Sequence, residues 1–317
     1  MSKHSSNTPA WTRLIRFIAV EDGLTYSGEP ILAQTADVGQ AFAAGSPPLQ
    51  ARILARDDPL DTSLRLRSTV KTVKKLLSPL DPKTQLGEIR CLGANFVQPG
   101  QDAKEAKSVE KRPKLPIVFY KPAACVVGYG DDIRLPIEAA GQTDWEVELV
   151  VVIGKTCRNV KRENALDYVL GYTLSNDVSA RTRMFSVPQW GLGKSFDTFL
   201  PLGPCIVSCA SQLVHDPDSV QLKTHVNGKK MQDGNTREML FGVCETIEWL
   251  SQGTTLEAGS IISMGTPPGE GFKMKPPIFF KHGDLCTVSA SHGLGSLTNP
   301  VVEESKLSST GGEKSRL

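Results

Sequence analysis

The stretch Asp144-Trp145-Glu146-Val147-Glu148-Leu149-Val150-Val151-Val152-Ile153 sets the character of this 317-residue chain. Its β-branched run favours an extended strand, in which side chains two residues apart share a face. Glu146 and Glu148 then project together, while Val147 and Leu149 project to the other side. Two carboxylates ~7 Å apart on a largely apolar strand repel each other and resist burial. A hard divalent cation answers both difficulties, because Mg²⁺ takes oxygen ligands and neutralises local charge. A solvent-exposed strand face with alternating acids fits the same spacing. A second strand-like run, Gly171 to Asn176, ends at Asp177. That aspartate suits either a third ligand or the N-cap of a following helix.

Outward from this strand, short extended runs alternate with Gly and Pro turns from about residue 89 to 303. Ile117 to Tyr120, Ser260 to Met264 and Leu285 to Ala290 are examples. Helical spacing is confined to Asn164 to Leu170 and Gly242 to Leu250. Many short strands with few helices indicate a β-rich α+β roll or barrel, not a doubly wound sheet. Residues 10–88 read as a small N-terminal domain. In it Leu14 to Val20 is a strand and Glu21-Asp22-Gly23 a hairpin turn. Val70 to Leu77 has helical spacing, with lysines on the outer face. Pro79 and Asp81-Pro82 break the chain before the larger region. Residues 304–317 are polar and read as a flexible C-terminal tail.

Composition removes several classes of function. The chain is 39% hydrophobic and 22% charged with a net charge of +2, which leaves no nucleic-acid footprint or membrane-surface patch. The longest apolar run, Leu149 to Ile153, is far too short to span a bilayer. No GxGxxG or GxxxxGK[ST] phosphate loop occurs. Seven scattered cysteines without a CxxC pair read as reduced intracellular thiols. Met1 to Pro9 lacks the apolar segment of a secretory signal. Ser315-Arg316-Leu317 is a conservative variant of the Ser-Lys-Leu peroxisomal address. The expected location is therefore the peroxisome, reached through the import receptor, or else the cytoplasm.

Six motifs then fall in one order. They are Asp144 to Glu148, Asn176-Asp177-Val178-Ser179-Ala180-Arg181, Gly193-Lys194-Ser195-Phe196-Asp197-Thr198, Gly265-Thr266-Pro267-Pro268-Gly269, Phe280 to Asp284, and Gly293 to Asn299. Together, over residues 89–303, they resemble the fumarylacetoacetate hydrolase family. The leading residues are similar to the N-terminal extension of its two-domain branch. The resemblance implies a mixed β-roll core and a homodimer. It implies Glu146, Glu148 and Asp177 as ligands of Mg²⁺ or Mn²⁺. The implied substrate is a 2-oxo or β-dicarbonyl acid, chelated through adjacent carboxylate and carbonyl oxygens, with enolate character stabilised by the ion. It further implies that Lys194 meets developing negative charge, that Arg181 lies beside the site, and that Gly265 and Thr266 bind the substrate carboxylate.

One segment departs from that pattern. Active members resemble Asn-Tyr-x-x-His-Ala-x-Glu on a mobile lid, where a His–Glu dyad acts as base. Here the stretch from Gly93 to Ala106 has Phe96 for the tyrosine and no histidine. Either Pro99 takes its place, or an insertion shifts Asp102-Ala103-Lys104-Glu105 into register and keeps Glu105. An ordinary aspartate, with a pKa of about 3.9, is a weaker base than histidine. Asp102 serves only if Glu105 or lid closure raises it. Thr182 and Met184 also stand where the family often has Asp and Gln. His4, His215, His225, His282 and His292 have no partner at diagnostic spacing. Three functions follow: C–C cleavage by hydrolysis or decarboxylation, oxaloacetate keto–enol tautomerisation, or a repurposed non-catalytic homologue. Loss of the dyad favours decarboxylation, which needs no activated water. Intact Glu146, Glu148, Asp177 and Lys194 argue against complete decay.

Overall fold

A computed structural model of the protein describes residues 9–307 apart from 109 and 212. The tripeptide Ser315-Arg316-Leu317 lies outside the described residues. Val147–Ile153 forms a strand buried along its whole length. Val147, Leu149, Val151 and Ile153 enter one apolar core, and Val150 and Val152 enter a second. A strand buried on both faces belongs at the centre of a sheet. It pairs antiparallel with Val169–Asn176 on one edge and with Ile261–Ser263 on the other. These three lie inside an 11-stranded sheet. Beyond Ile261–Ser263 come β5 (Ile89–Gly93) and the edge strand β6 (Ile117–Lys121). Beyond Val169–Asn176 comes Leu200–Ser208, and then the N-terminal strands.

Those strands are β1 (Arg13–Ala19), β2 (Thr25–Pro30), β3 (Gln50–Leu54) and β4 (Leu66–Leu77). β1 pairs with β2 and β4, β2 with β3, and β3 with β4, which closes a four-stranded ring. β1 also continues into the large sheet, with Arg13 opposite Val207 and Leu14 opposite Ile206. The expected hairpin after Leu14 to Val20 is present between β1 and β2. The expected helix at Val70 to Leu77 is not: that segment is the second half of β4. Its β-branched Val70, Thr72 and Val73 tolerate the extended form. Val73 and Leu76 are buried in the ring, where pairing to β1 and β3 satisfies the backbone.

A five-stranded sheet runs Lys229–Asn235, Gln221–Val226, Leu285–Ala290, Gly295–Glu303, Ile133–Leu135. Its Leu222, Val288 and Leu297 share a core with Leu149 and Val151. The helices are short: α1 (Val38–Ala44), α2 (Ala103–Ala106), α3 (Arg181–Phe185), α4 (Gly191–Lys194), α5 (Val243–Ser251) and α6 (Glu304–Leu307), the last standing where the flexible tail was expected to begin. The expected helix at Asn164 to Leu170 is a 3₁₀ segment over Arg162–Tyr168, and the strand takes over at Val169. The fold is β-rich α+β, as the sequence suggested. Among the described residues no helix is long and apolar enough to cross a membrane. All seven cysteines are free.

Candidate active site

Strand register assembles the acidic cluster. Val147 stands opposite Asn176 and Glu148 opposite Ser175. One residue past each strand end, the Asp177 N–H donates to the Glu146 carbonyl at 2.8 Å, and the Glu146 N–H to Asn176 Oδ1 at 2.9 Å. Glu146, Glu148 and Asp177 therefore converge from two neighbouring strands. One carboxylate oxygen from each lies within 4.8 Å of the others, and all three residues are buried.

Three cations surround these acids. Arg181 Nη1 meets Glu146 Oε1 at 2.6 Å, and its Nε meets Asp144 Oδ2 at 3.0 Å. Lys194 Nζ bridges Glu146 Oε2, at 2.7 Å, and Asp177 Oδ2. Lys121 Nζ reaches Asp177 Oδ1 at 2.6 Å. Four carboxylates against three cations leave one negative charge without a counterpart. That charge falls on Glu148, whose hydrogen-bond partners among the described residues are the Ser263 hydroxyl at 2.6 Å and the Gly265 N–H at 2.9 Å, both on Oε2. Burial, with Asp177 and Glu146 beside it, pushes the Glu148 carboxyl well above its ordinary value. Burial also raises Glu146, against the pull of Arg181 and Lys194. At Asp177 burial opposes the anion, but Lys121 and Lys194 outweigh it and hold the carboxyl below its usual range. Three hard oxygen donors with surplus negative charge fit a divalent cation.

Glu146 and Glu148 of the cluster line a cavity of about 670 Å³, together with Arg181, Lys194 and Thr266. Burial works against the Lys194 ammonium, yet Asp177 and Glu146 hold it protonated above its ordinary range. Arg181 has a buried Nη2 with no hydrogen-bond partner, a donor available to an anionic ligand. The Thr266 hydroxyl is fixed by Gln232 Nε2 at 2.7 Å. Gly265 has φ +87, and a Cβ there would stand 2.8 Å from Asn95 Cβ, so this turn needs glycine.

The lid residues Asp102 and Glu105 line the same cavity but are exposed. Asp102 caps α2 by accepting the Glu105 N–H at 2.8 Å, and Glu105 pairs with Lys111 at 3.5 Å. No described histidine lines the cavity, and Met184 does. Sequence reasoning missed three residues: Asp144, Lys121 and Glu270. Lys121 carried a signal, because it shares with Phe119 the inward face of β6, and a lysine on a core face demands an acidic partner. Asp144 accepts the N–H groups of Trp145, Gly271 and Phe272 besides Arg181. Glu270 lines the cavity and is 7% exposed.

A β-rich fold with a buried carboxylate triad beside a cavity of this size suits an enzyme that holds a small acid through a divalent cation. Residues 88–302 match the fumarylacetoacetate (FAA) hydrolase C-terminal family. Caffeoylpyruvate hydrolase of Neonothopanus nambi is 38% identical over 308 residues, 96% of this chain and 98% of that protein. Oxaloacetate tautomerase fahd2, mitochondrial, of Xenopus laevis is 42% identical over 228 residues, 71% of this chain and 69% of that protein. The crystal structure of 2-hydroxyhepta-2,4-diene-1,7-dioate isomerase from Mycobacterium marinum has a TM-score of 0.73 at 32% identity, covering 92% of this chain and 99% of that one. The chain belongs to the fumarylacetoacetate hydrolase family and is an enzyme of it.

Proposed function

We propose that this enzyme hydrolyses the C–C bond of an acylpyruvate, a β-diketo acid, with Mg²⁺ or Mn²⁺ held by Glu146, Glu148 and Asp177. The observation that carries the reading is a cluster of three buried carboxylates, two of which, Glu146 and Glu148, line one cavity with Lys194 and with Arg181, whose buried Nη2 has no partner among the described residues. A bound ion supplies Lewis-acid polarisation of the 2-oxo group. Arg181 and the Gly265-Thr266 turn hold the substrate carboxylate. Lys194, kept protonated, donates to the oxygen that gathers charge. Water adds to the acyl carbonyl carbon and the bond from that carbon to the methylene breaks. The electron pair becomes the enolate of pyruvate, which takes a proton at the methylene carbon. The products are a carboxylic acid and pyruvate.

The aromatic lining of the cavity supports an uncharged, planar acyl arm. Phe119 with Trp190, and Phe185 with Phe272, form two ring pairs there, each with centroids 5.7 Å apart. Such faces take flat apolar groups. The rim cations Lys111, Arg112 and Lys273 are already paired with Glu105, Glu245 and Glu270, so a second substrate carboxylate finds no free partner. Near-complete coverage of a caffeoylpyruvate hydrolase supports the same class. Tautomerisation of oxaloacetate, favoured by the similarity to fahd2, and decarboxylation are the competing outcomes on one scaffold.

The test is product analysis with Mg²⁺ or Mn²⁺ on aroylpyruvates, fumarylacetoacetate and oxaloacetate. Pyruvate and the matching acid are expected from acylpyruvates, with loss on chelation. Several kcal/mol of lost charge stabilisation makes Glu148→Ala slower by about 100-fold or more. Release of CO₂ or enol alone, or an unimpaired Glu148→Ala, overturns the reading.

We also propose that the chain pairs as a homodimer through the free edge of the large sheet. Leu115, Ile117 and Leu192 are exposed there, and α4 packs against β6.

A further inference from the structure

We infer that Glu270 is the general base of this active site, in place of a base on the lid. The inference rests on the hydrolase reading above. Glu270 is 7% exposed and lines the same cavity as Glu146, Glu148 and Lys194. Apart from the two proposed ligands, no other buried carboxylate lines that cavity among the described residues. Asp102 and Glu105 are exposed; Asp102 caps the lid helix α2 by accepting the Glu105 N–H, and the Glu105 carboxylate forms an ion pair with Lys111.

The turn that carries Glu270 is stapled to the strand of acids. Gly265 donates to Glu148 Oε2 at 2.9 Å. Gly271 and Phe272 donate to Asp144 Oδ1 and Oδ2 at 2.8 and 3.0 Å. Trp145 Nε1 donates to the Gly269 carbonyl at 3.2 Å. The backbone on both sides of Glu270 is thus fixed against residues 144–148, the rigidity a proton acceptor needs for alignment.

The carboxylate itself is held and still has room for a proton. Oε2 accepts the Gly269 N–H at 3.1 Å, and Oε1 accepts from Lys273 Nζ at 2.8 Å. Each oxygen has two lone-pair sites, so one remains on each. Lys273 Nζ also donates to Gln98 Oε1 at 2.8 Å, which ties the lid to the carboxylate. A Glu–Lys pair that only braced a turn would need neither burial nor a place on the cavity wall.

In the proposed step Glu270 takes one proton from water as the water oxygen bonds to the acyl carbonyl carbon. The C–C bond breaks and its electron pair passes into the pyruvate enolate. Glu270 then gives the proton to the methylene carbon and returns to its ionised form. Atoms and charges balance without a further reactant.

The experiment uses full-length protein with Mg²⁺ and an acylpyruvate that the wild type cleaves. Glu270→Gln should lower kcat by about 100-fold or more, with KM changed by less than about 3-fold and wild-type Mn²⁺ affinity by calorimetry. Glu270→Ala should regain activity in a saturable way when formate is added. The inference is overturned if Glu270→Gln keeps kcat within about 3-fold of wild type, or if formate restores nothing to Glu270→Ala. It is equally overturned if Asp102→Asn or Glu105→Gln abolishes turnover while Glu270→Gln does not. Wild-type protein that cleaves no acylpyruvate sinks the hydrolase reading itself, a result separable from a silent Glu270 variant.

Discussion

Asp177 is shared by two lysines of different standing. Lys194 opens onto the cavity, whereas the Lys121 side chain is fully enclosed and also donates to the Val178 carbonyl at 3.3 Å. Removing one partner of a buried pair costs about 3–5 kcal/mol, because the other charge is left uncompensated. Lys121→Met should therefore melt well below wild type in chelator. Saturating Mn²⁺ should raise its melting temperature more than it raises that of wild type, since the ion replaces the missing charge. An equal or smaller rise in thermal denaturation shows that Lys121 is not the counter-ion of Asp177. Burial acts on the thiols in the same way, pushing Cys125 up to about 11 and Cys205 up to about 12. Only Cys209 and Cys244 are partly exposed. Iodoacetamide at pH 8 should label at most those two in native protein, and all seven after unfolding, as counted by intact mass. At this scale strand period put Glu146 and Glu148 on one face, and the resemblance of the ordered motifs singled them out as ligands. The partners of Lys121 and Asp144 lie 56 and 37 positions away, so local spacing names neither partner, although the core-facing place of Lys121 signalled that it needed one.

The elements show the same division between local and distant information. Val147–Ile153 reads correctly because its β-branched run and its burial agree. β4 does not, because Val70, Val73 and Leu77 are spaced like a helix while the ring demands a strand. Tertiary pairing then overrides a pattern of period three to four. The lid is the element with least support of its own. α2 has four residues, none of them buried. Its C-terminal flank is pinned by Arg112, which makes two bonds to Glu245 at 2.9 and 2.7 Å, donates to the Leu240 carbonyl at 3.1 Å, and stacks 4.9 Å from the Phe241 ring centroid. Arg112→Ala should free this flank, and limited trypsin digestion should cut at Lys104, Lys107 or Lys111 several-fold faster than in wild type. Unchanged cleavage there means that the other contacts of the segment, the Phe96 to Met239 bridge, Lys107 Nζ on the Arg237 carbonyl and Lys273 on Gln98 among them, anchor it without Arg112. The lid was legible as a departure from a motif, but its contacts were not.

At the scale of the whole molecule, the free edge of the large sheet and the shared strand β1 matter most. An uncovered edge strand with apolar side chains is a pairing surface. Joint substitution Ile117→Asp and Leu192→Asp should convert the proposed dimer to a monomer in sedimentation velocity; a species of unchanged mass places the interface elsewhere. At the far side, β1 belongs at once to the N-terminal ring and to the large sheet. Parts of a protein that swing about a hinge are joined by a linker crossed by few contacts. A strand hydrogen-bonded into both parts leaves no such joint. The leading residues are thus a fixed buttress and not a swinging cap. The same sharing means that a fragment cut at residue 88 would expose the flank of Leu200–Ser208 that β1 now covers, so the module cannot be exchanged as a free cassette.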